Sequence, residues 1–350
     1  GSDADLIVEL LKPDGSVLAA SDRGPAGTVE GVAGYWVDAN MSYQLVVREF
    51  TKKKLRKSGG RGGSSEPYQL RVRLETTPKP DYELEPNEDL EGAREVVRDV
   101  PGHGYLGWSG DVDWWRVPTA GFTEIAGEGG PTEALDIVVS GMTRVATVME
   151  LSTQAGEPVL SFTASPGKEV AMRNFVPAVA ADFYVLKLSS KRSNPEESYA
   201  VSVALKKRTP GEEAEPNNTM DAANPIASEV GVLARASGEL CLGDVDMFSI
   251  EPAEMNRSMD LRLEGPTTAD LTVSVVSEKG ELLAISEKPG LGLSEMLEAV
   301  DVAPNTSPIV ILRAAKVDLP AAYTLSLSVS EGQGVPQAPV AVEENPASVE

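Results

Sequence analysis

A single cysteine and a single histidine occur in 350 residues. One thiol cannot form an intramolecular disulfide, and neither a cysteine-rich zinc site nor a centre built on two imidazoles is available. HExxH metalloproteases and carbonic-anhydrase-like chemistry are thereby removed. So little cysteine tolerates any redox compartment and is common in secreted bacterial proteins. Positive charge is also short: 31 Lys and Arg stand against 54 Asp and Glu, a formal net charge of −23. General affinity for nucleic acid or an anionic membrane is disfavoured, while cations and basic partners are favoured. No apolar run approaches the roughly eighteen residues of a membrane helix, and the N-terminus carries no signal-peptide pattern. The chain reads as soluble, with no membrane insertion; it opens Gly1-Ser2, and a signal or anchor upstream is left open.

What the chain does have is alternation. Leu6 to Leu11, Ala200 to Leu205 and Tyr323 to Val329 alternate apolar and polar residues between Gly, Pro, Asn and Asp, the pattern of strands half-buried on one face. Helical periodicity is scarce, and Asp89 to Val97 is the one stretch read as a short helix or turn. The expected class is all-β.

Repetition is more informative. Glu83-Leu84-Glu85-Pro86-Asn87 recurs as Glu213-Ala214-Glu215-Pro216-Asn217, and Gly110-Asp111-Val112-Asp113-Trp114-Trp115 recurs as Gly243-Asp244-Val245-Asp246-Met247-Phe248. A strand, glycine turn and strand occurs three times, at Leu6 to Ala20, Val148 to Phe162 and Leu271 to Ile285. Each copy is followed by a Tyr-led strand pattern, at Tyr68 to Val72, Tyr199 to Val203 and Tyr323 to Leu327. The expected organisation is a partial repeat over 1–77, two complete repeats over 81–209 and 212–330, and a disordered tail over 331–350. Polar, Pro-containing segments at Thr76 to Pro80 and Lys206 to Gly211 separate the repeats.

Glu-Pro-Asn after a linker, then Gly-Asp-Val-Asp with aromatic residues, then the strand, glycine turn and strand, resembles the bacterial pre-peptidase C-terminal domain and is similar to the collagen-binding modules of clostridial collagenases. The resemblance covers residues 3 to 330. It implies tandem jelly-roll-like β-sandwich domains, non-catalytic, found beside secreted peptidases or in cell-envelope proteins, with calcium bound by some members.

Spacing bears on the same residues. Glu83, Glu85 and Asn87 alternate, as do Asp111 and Asp113, so in extended chain each set points to one side. If the linker lies on the Gly-Asp-Val-Asp turn, five oxygen-bearing side chains converge, a donor set for a hard cation. The resemblance carries the ligand role to Glu83, Glu85, Asn87, Asp111 and Asp113, and to Glu213, Glu215, Asn217, Asp244 and Asp246. Where the family often has Asp after the Asn, this chain has Glu88 or Asn218. A reading without metal stands beside it, in which Asn and Asp cap turns through bonds to backbone.

Trp115 and Phe248 are expected in cores. Tyr105, Trp108 and Trp114 are read as an exposed aromatic cluster for a sugar or protein partner, with packing against the linker as the other account. The basic stretch Lys52 to Arg61 runs into Gly and Ser and is read as a solvated hairpin tip or a grip for a polyanion or an acidic neighbour. His103 lies in a turn, and Cys241 reads as a passive thiol. No nucleophile and base stand at a recognisable spacing, so no enzyme is expected. The functional expectation is a binding or scaffold array in a bacterial envelope, periplasm or extracellular space, its partner a protein or polysaccharide of the envelope or matrix. The alternatives are an accessory region of a secreted peptidase or hydrolase and, more remotely, an acid/base hydrolase using Asp and Glu.

Overall fold

A computed structural model describes residues 4–50, 67–119, 132–177, 181–241, 243–316 and 320–332. The basic stretch from Lys52 to Arg61 and the tail after Gly332 lie outside these residues. Among the described residues there is no α-helix; one 3-10 turn spans Met220–Ala222. The chain is all-β, a set of tandem sandwich-type sheets.

The N-terminal unit holds β1 (Leu6–Leu11), β2 (Val17–Ser21) and β3 (Gln44–Glu49) in one sheet of order β2-β1-β3. Gly15, at φ 83°, supplies the left-handed residue of the β1–β2 hairpin.

The first complete sandwich contains β4 (Arg94–Glu95), β5 (Gly102–Gly104), β6 (Val112–Pro118), β7 (Glu133–Val139), β8 (Val148–Ser152), β9 (Pro158–Thr163), β10 (Val170–Phe175), β11 (Phe183–Ser189) and β12 (Tyr199–Lys207). They form sheets β4-β6-β11-β8-β9 and β10-β7-β12-β5. Alternation sends Trp115, Val117, Leu186 and Leu188 of one sheet and Leu135, Ile137, Val201 and Val203 of the other into a single core. Asp89 to Val97 is a turn leading into the short strand β4 rather than a helix.

The second sandwich contains β13 (Asn224–Ile226), β14 (Leu233–Leu240), β15 (Val245–Ile250), β16 (Arg257–Glu264), β17 (Asp270–Val276), β18 (Leu282–Ser286), β19 (Glu295–Val302), β20 (Ile309–Lys316) and β21 (Ala321–Glu331). Its sheets are β13-β15-β20-β17-β18 and β14-β21-β16-β19, closed over Phe248, Leu263, Val273, Leu312 and Leu325. Trp115 and Phe248 are core residues, as their alternation predicts.

One strand expectation is corrected. Tyr68 to Val72 is not a strand, and Tyr68, Leu70, Val72 and Leu74 are 54%, 50%, 57% and 75% exposed. The corresponding β12 and β21 sit inside four-stranded sheets, hydrogen-bonded on both sides. Among the described residues the N-terminal unit has no counterpart of β5 or β7, so the same alternation finds no ladder to join.

Candidate functional site

Each Glu-x-Glu-Pro-Asn segment lies in a seam. Glu85 bridges Tyr35 of the N-terminal unit, and Glu215 bridges Phe175 at the end of β10, both in parallel register. On its other side each segment meets the Gly-Asp-Val-Asp turn of the sandwich that follows.

At the first seam Glu83, Glu85, Asn87, Asp111 and Asp113 are brought together and each is at most 3% exposed. Tyr199 on β12 hydrogen-bonds through its hydroxyl to Glu83 Oε2 (2.7 Å) and Asp113 Oδ2 (2.6 Å), while Trp115 Nε1–H donates to that hydroxyl at 2.9 Å. The Tyr105 N–H donates to Glu83 Oε1, the Asn87 amide to Glu83 Oε2 and the Gly107 N–H to Asp111 Oδ2. Four buried oxygens remain without a hydrogen-bond partner: Glu85 Oε1, Asn87 Oδ1, Asp111 Oδ1 and Asp113 Oδ1. A buried oxygen without a partner is costly, so three carboxylate oxygens and one amide oxygen together mark a site shaped for a positive charge.

The electrostatics agree. Burial pushes the Glu83 carboxyl up to about 7. Burial, then the neighbouring Asp111 charge, pushes Glu85 up to about 9, and burial takes Asp111 to about 8. Asp113 is raised well above the carboxylate range by burial and by Glu83, Asp111 and Glu85. Without a cation these groups hold protons because they cannot all ionise in so small a dry volume.

The second seam repeats the plan with one difference. Glu213, Glu215, Asn217, Asp244 and Asp246 are again buried together, and Tyr323 OH and the Glu239 N–H donate to Glu213 at 2.6 and 2.8 Å. Glu215 Oε1, Asn217 Oδ1 and both carboxylate oxygens of Asp246 lack partners. Burial, then Glu213 and Asp244, raises Asp246, and burial, then Asp244 and Glu213, raises Glu215. Asp244, however, is tied up: its Oδ1 accepts from Asn218 Nδ2 and the Val245 N–H (both 2.9 Å), and its Oδ2 from the Cys241 N–H (3.3 Å). It caps the turn. In the first seam Glu88 stands where Asn218 stands here, and it joins Glu85 and Asp111 in a second acidic triad.

Ligand-type oxygens of Glu83, Glu85 and Asp113, of Glu85, Glu88 and Asp111, and of Glu213, Glu215 and Asp246 each lie within 4.8 Å of one another. These acidic groups, all buried except Glu88, can hold a metal ion.

The tyrosines beneath them, and the glycines facing those tyrosines, were visible in the sequence but not legible as site residues. Gly104 pairs with Tyr199 and Gly238 with Tyr323. A Cβ on Gly104 would lie 2.3 Å from Glu83 Oε2, and one on Gly238 would lie 1.9 Å from Glu213 Oε2. Only glycine lets the strand carry the carboxylate so close.

The aromatic cluster is corrected. Trp108 is 5% exposed and packs with Leu10 and Ala19 of the N-terminal unit, its ring 5.9 Å from Tyr35. Its loop position gave no periodicity from which to read a docking role. Tyr105 and Trp114 are half-buried; Tyr105 lies 6.1 Å from Tyr82, and Trp114 is on β6 opposite Lys187. Cys241 is buried, its Sγ 3.1 Å from Ala171 O, and burial pushes its thiol far up. His103 stacks on Tyr82 at 5.0 Å and faces Asp81 at 3.6 Å.

No protein-family model and no curated protein sequence matches the chain. Among solved structures it is similar to the pre-peptidase C-terminal domain of a collagenase from Bacillus anthracis, at 14% identity over 31% of this chain and 94% of that one, TM-score 0.25. It is also similar to the PBSX exported protein XepA, at 11% identity over 67% and 88%, TM-score 0.23. A third is the tandem CBM22-1-CBM22-2 domain of Xyn10C from Paenibacillus barcinonensis, at 11% identity over 57% and 80%, TM-score 0.19.

Proposed function

We propose that this chain is a non-catalytic array of β-sandwich modules of the pre-peptidase C-terminal type, from a secreted or cell-envelope bacterial protein, with calcium held at each Glu-x-Glu-Pro-Asn seam. The observation that carries the reading is the set of buried oxygens with no hydrogen-bond partner at both seams. Every available donor is oxygen, the chemistry of a hard cation. Glu85, Asn87, Asp111 and Asp113 would hold it at the first seam, and Glu215, Asn217 and Asp246 at the second. A bound divalent cation supplies the positive charge that lets these carboxylates ionise side by side. Tyr199 and Tyr323 then orient Glu83 and Glu213 from below through their hydroxyl bonds.

Because each segment also bridges the preceding unit, filling the seam stiffens the array as well as the sandwich. Such a chain serves as a spaced scaffold that presents its faces to an envelope or matrix protein or polysaccharide. The acidic groups are no hydrolase centre on this reading: at 0–5% exposure they are closed to a polymer substrate. Titration calorimetry with calcium, paired with solution scattering with and without chelator, tests the proposal. Saturable calcium binding with a more compact, less variable profile is expected. Absence of heat at millimolar calcium together with an unchanged profile would leave the seams as metal-free turn caps.

A further inference from the structure

The two seams are built alike down to single backbone groups, and the bend on which they are built recurs in the second sandwich. At the first seam Gly34 is left-handed (φ 78°), and the next residue, Tyr35, makes the bridge. The Glu85 N–H donates to Gly34 O, and the Trp36 N–H donates to Glu85 O. At the second seam Asn174 is left-handed (φ 53°) and Phe175 makes the bridge; the Glu215 N–H donates to Asn174 O, and the Val176 N–H to Glu215 O. Asp136 on β7 fixes the bend, its Oδ1 accepting from the Asn174 N–H at 3.0 Å.

In the second sandwich Ala299 has φ 53°, and its N–H donates to Asp260 Oδ1 on β16 at 2.8 Å. The register is the same: Met259 faces Val300 as Leu135 faces Phe175. Upstream, Ser286 donates to buried Glu295 as Ser21 donates to Glu30, nine residues apart in both. Alanine is disfavoured in the left-handed region because its Cβ crowds the following carbonyl oxygen, yet the bend is kept. Among the described residues β19 is an edge strand, paired only with β16, and Ala299 is exposed. Beside it Leu282, Leu283, Ile285, Leu291, Leu293 and Met296 are 42% to 60% exposed.

The sequence supplies a segment of matching type. Glu83 and Pro86 recur at a spacing of 130 residues as Glu213 and Pro216, and recur at that spacing again as Glu343 and Pro346, in Glu343-Glu344-Asn345-Pro346. Reach is ample. Glu331 and Val302 both face Arg257, from opposite sides of β16, which puts them about 10 Å apart. The ten residues 333–342 can span about 33 Å.

We propose that Glu343 to Pro346 docks on the β19 edge as a parallel strand, Asn345 bridging Val300 as Glu215 bridges Phe175. The β18–β19 edge is on this reading the array's outgoing interface, made to receive the Glu-x-Glu/Asn-Pro strand that opens a further repeat. The inference rests on backbone geometry and stands whether or not the seams hold metal.

Hydrogen exchange read by mass spectrometry tests it, comparing the full chain with a chain ending at Gly332. Truncation is expected to speed exchange at least tenfold at Ala299 to Val302 and to leave β10 and β12 unchanged. A peptide of residues 339–350, added to the truncated chain, is expected to restore protection, and one with Asn345 and Pro346 exchanged for glycine to fail. Equal exchange in both chains, or restoration by the glycine peptide, would overturn the assignment. So would protection that appears only as protein concentration rises, since that makes a second copy the occupant.

Discussion

Raising pH is the perturbation most directly tied to the first seam, and its effect on the metal-free protein has a definite sign. Glu83 titrates at about 7 in the folded state against 4.5 for the ordinary carboxyl. Between those values the folded protein keeps a proton that the unfolded chain has released. Folding therefore takes up a proton, and stability is full below 4.5 and lost as pH rises through 7. That interval corresponds to about 3 kcal/mol for Glu83 alone, or roughly 10 °C in the melting temperature of a sandwich of this size. Glu85 and Asp111, at about 9 and about 8, carry the decline further in the same direction. Calcium opposes it, because the ion binds the deprotonated groups; at a hundredfold excess over Kd it adds about 2.7 kcal/mol. Scanning calorimetry at several pH values, in chelator and in calcium, is the assay. The chelated melting temperature should fall with pH while the gap between the two curves widens, and Glu83→Gln should make the chelated curve shallower between pH 4.5 and 7, leaving the decline that Glu85, Asp111 and Asp113 contribute. A chelated curve that is level or rising would refute the electrostatic account of the seam.

Three further outcomes are expected. Asp113→Asn and Asp246→Asn should each abolish calcium binding at their own seam, whereas Asp244→Asn, which removes only a turn cap, should cost about 1 kcal/mol and leave calorimetric stoichiometry unchanged. Trp108→Ala should weaken the first seam by about 3 kcal/mol and make proteolysis release the N-terminal unit, with the melting of the second sandwich unmoved. Cys241 should resist thiol reagents in the folded chain and react at once in denaturant, because its thiol is buried and raised by burial; fast native labelling would show that the second seam opens.

Local signals in this chain were legible wherever a neighbour in sequence enforces them. Gly15, Gly156 and Gly280 all adopt the positive φ that the three hairpins need, at 83°, 86° and 81°, and the alternation around Trp115 and Phe248 put both in cores. Convergence of the acidic residues followed from alternation plus one assumption, that the linker meets the turn. Tyr68 to Val72 has the alternation of β12 but none of its neighbours, and a strand pattern is not a strand without a partner. Trp108 sits in a loop whose burial is decided by a different unit, so no window around it contains the answer.

The two seams show most plainly where motif reading stops. Gly-Asp-Val-Asp is identical in both, and the first Asp of each is buried, yet one keeps an unpaired oxygen aimed into its cluster and the other has all its bonds made. The difference originates in the residue after the Asn. A carboxylate at Glu88 cannot donate to Asp111, so the pair repel and share an oxygen-lined space with Glu85. An amide at Asn218 donates to Asp244 and cancels the need for a cation there. Exchanging the two should therefore exchange the behaviours: Glu88→Asn should lower the calcium affinity of the first seam and raise its metal-free stability, and Asn218→Glu should do the reverse at the second. Calorimetry of both variants, with and without chelator, checks this. Unchanged affinities would mean that residues 88 and 218 stand outside the cation's field.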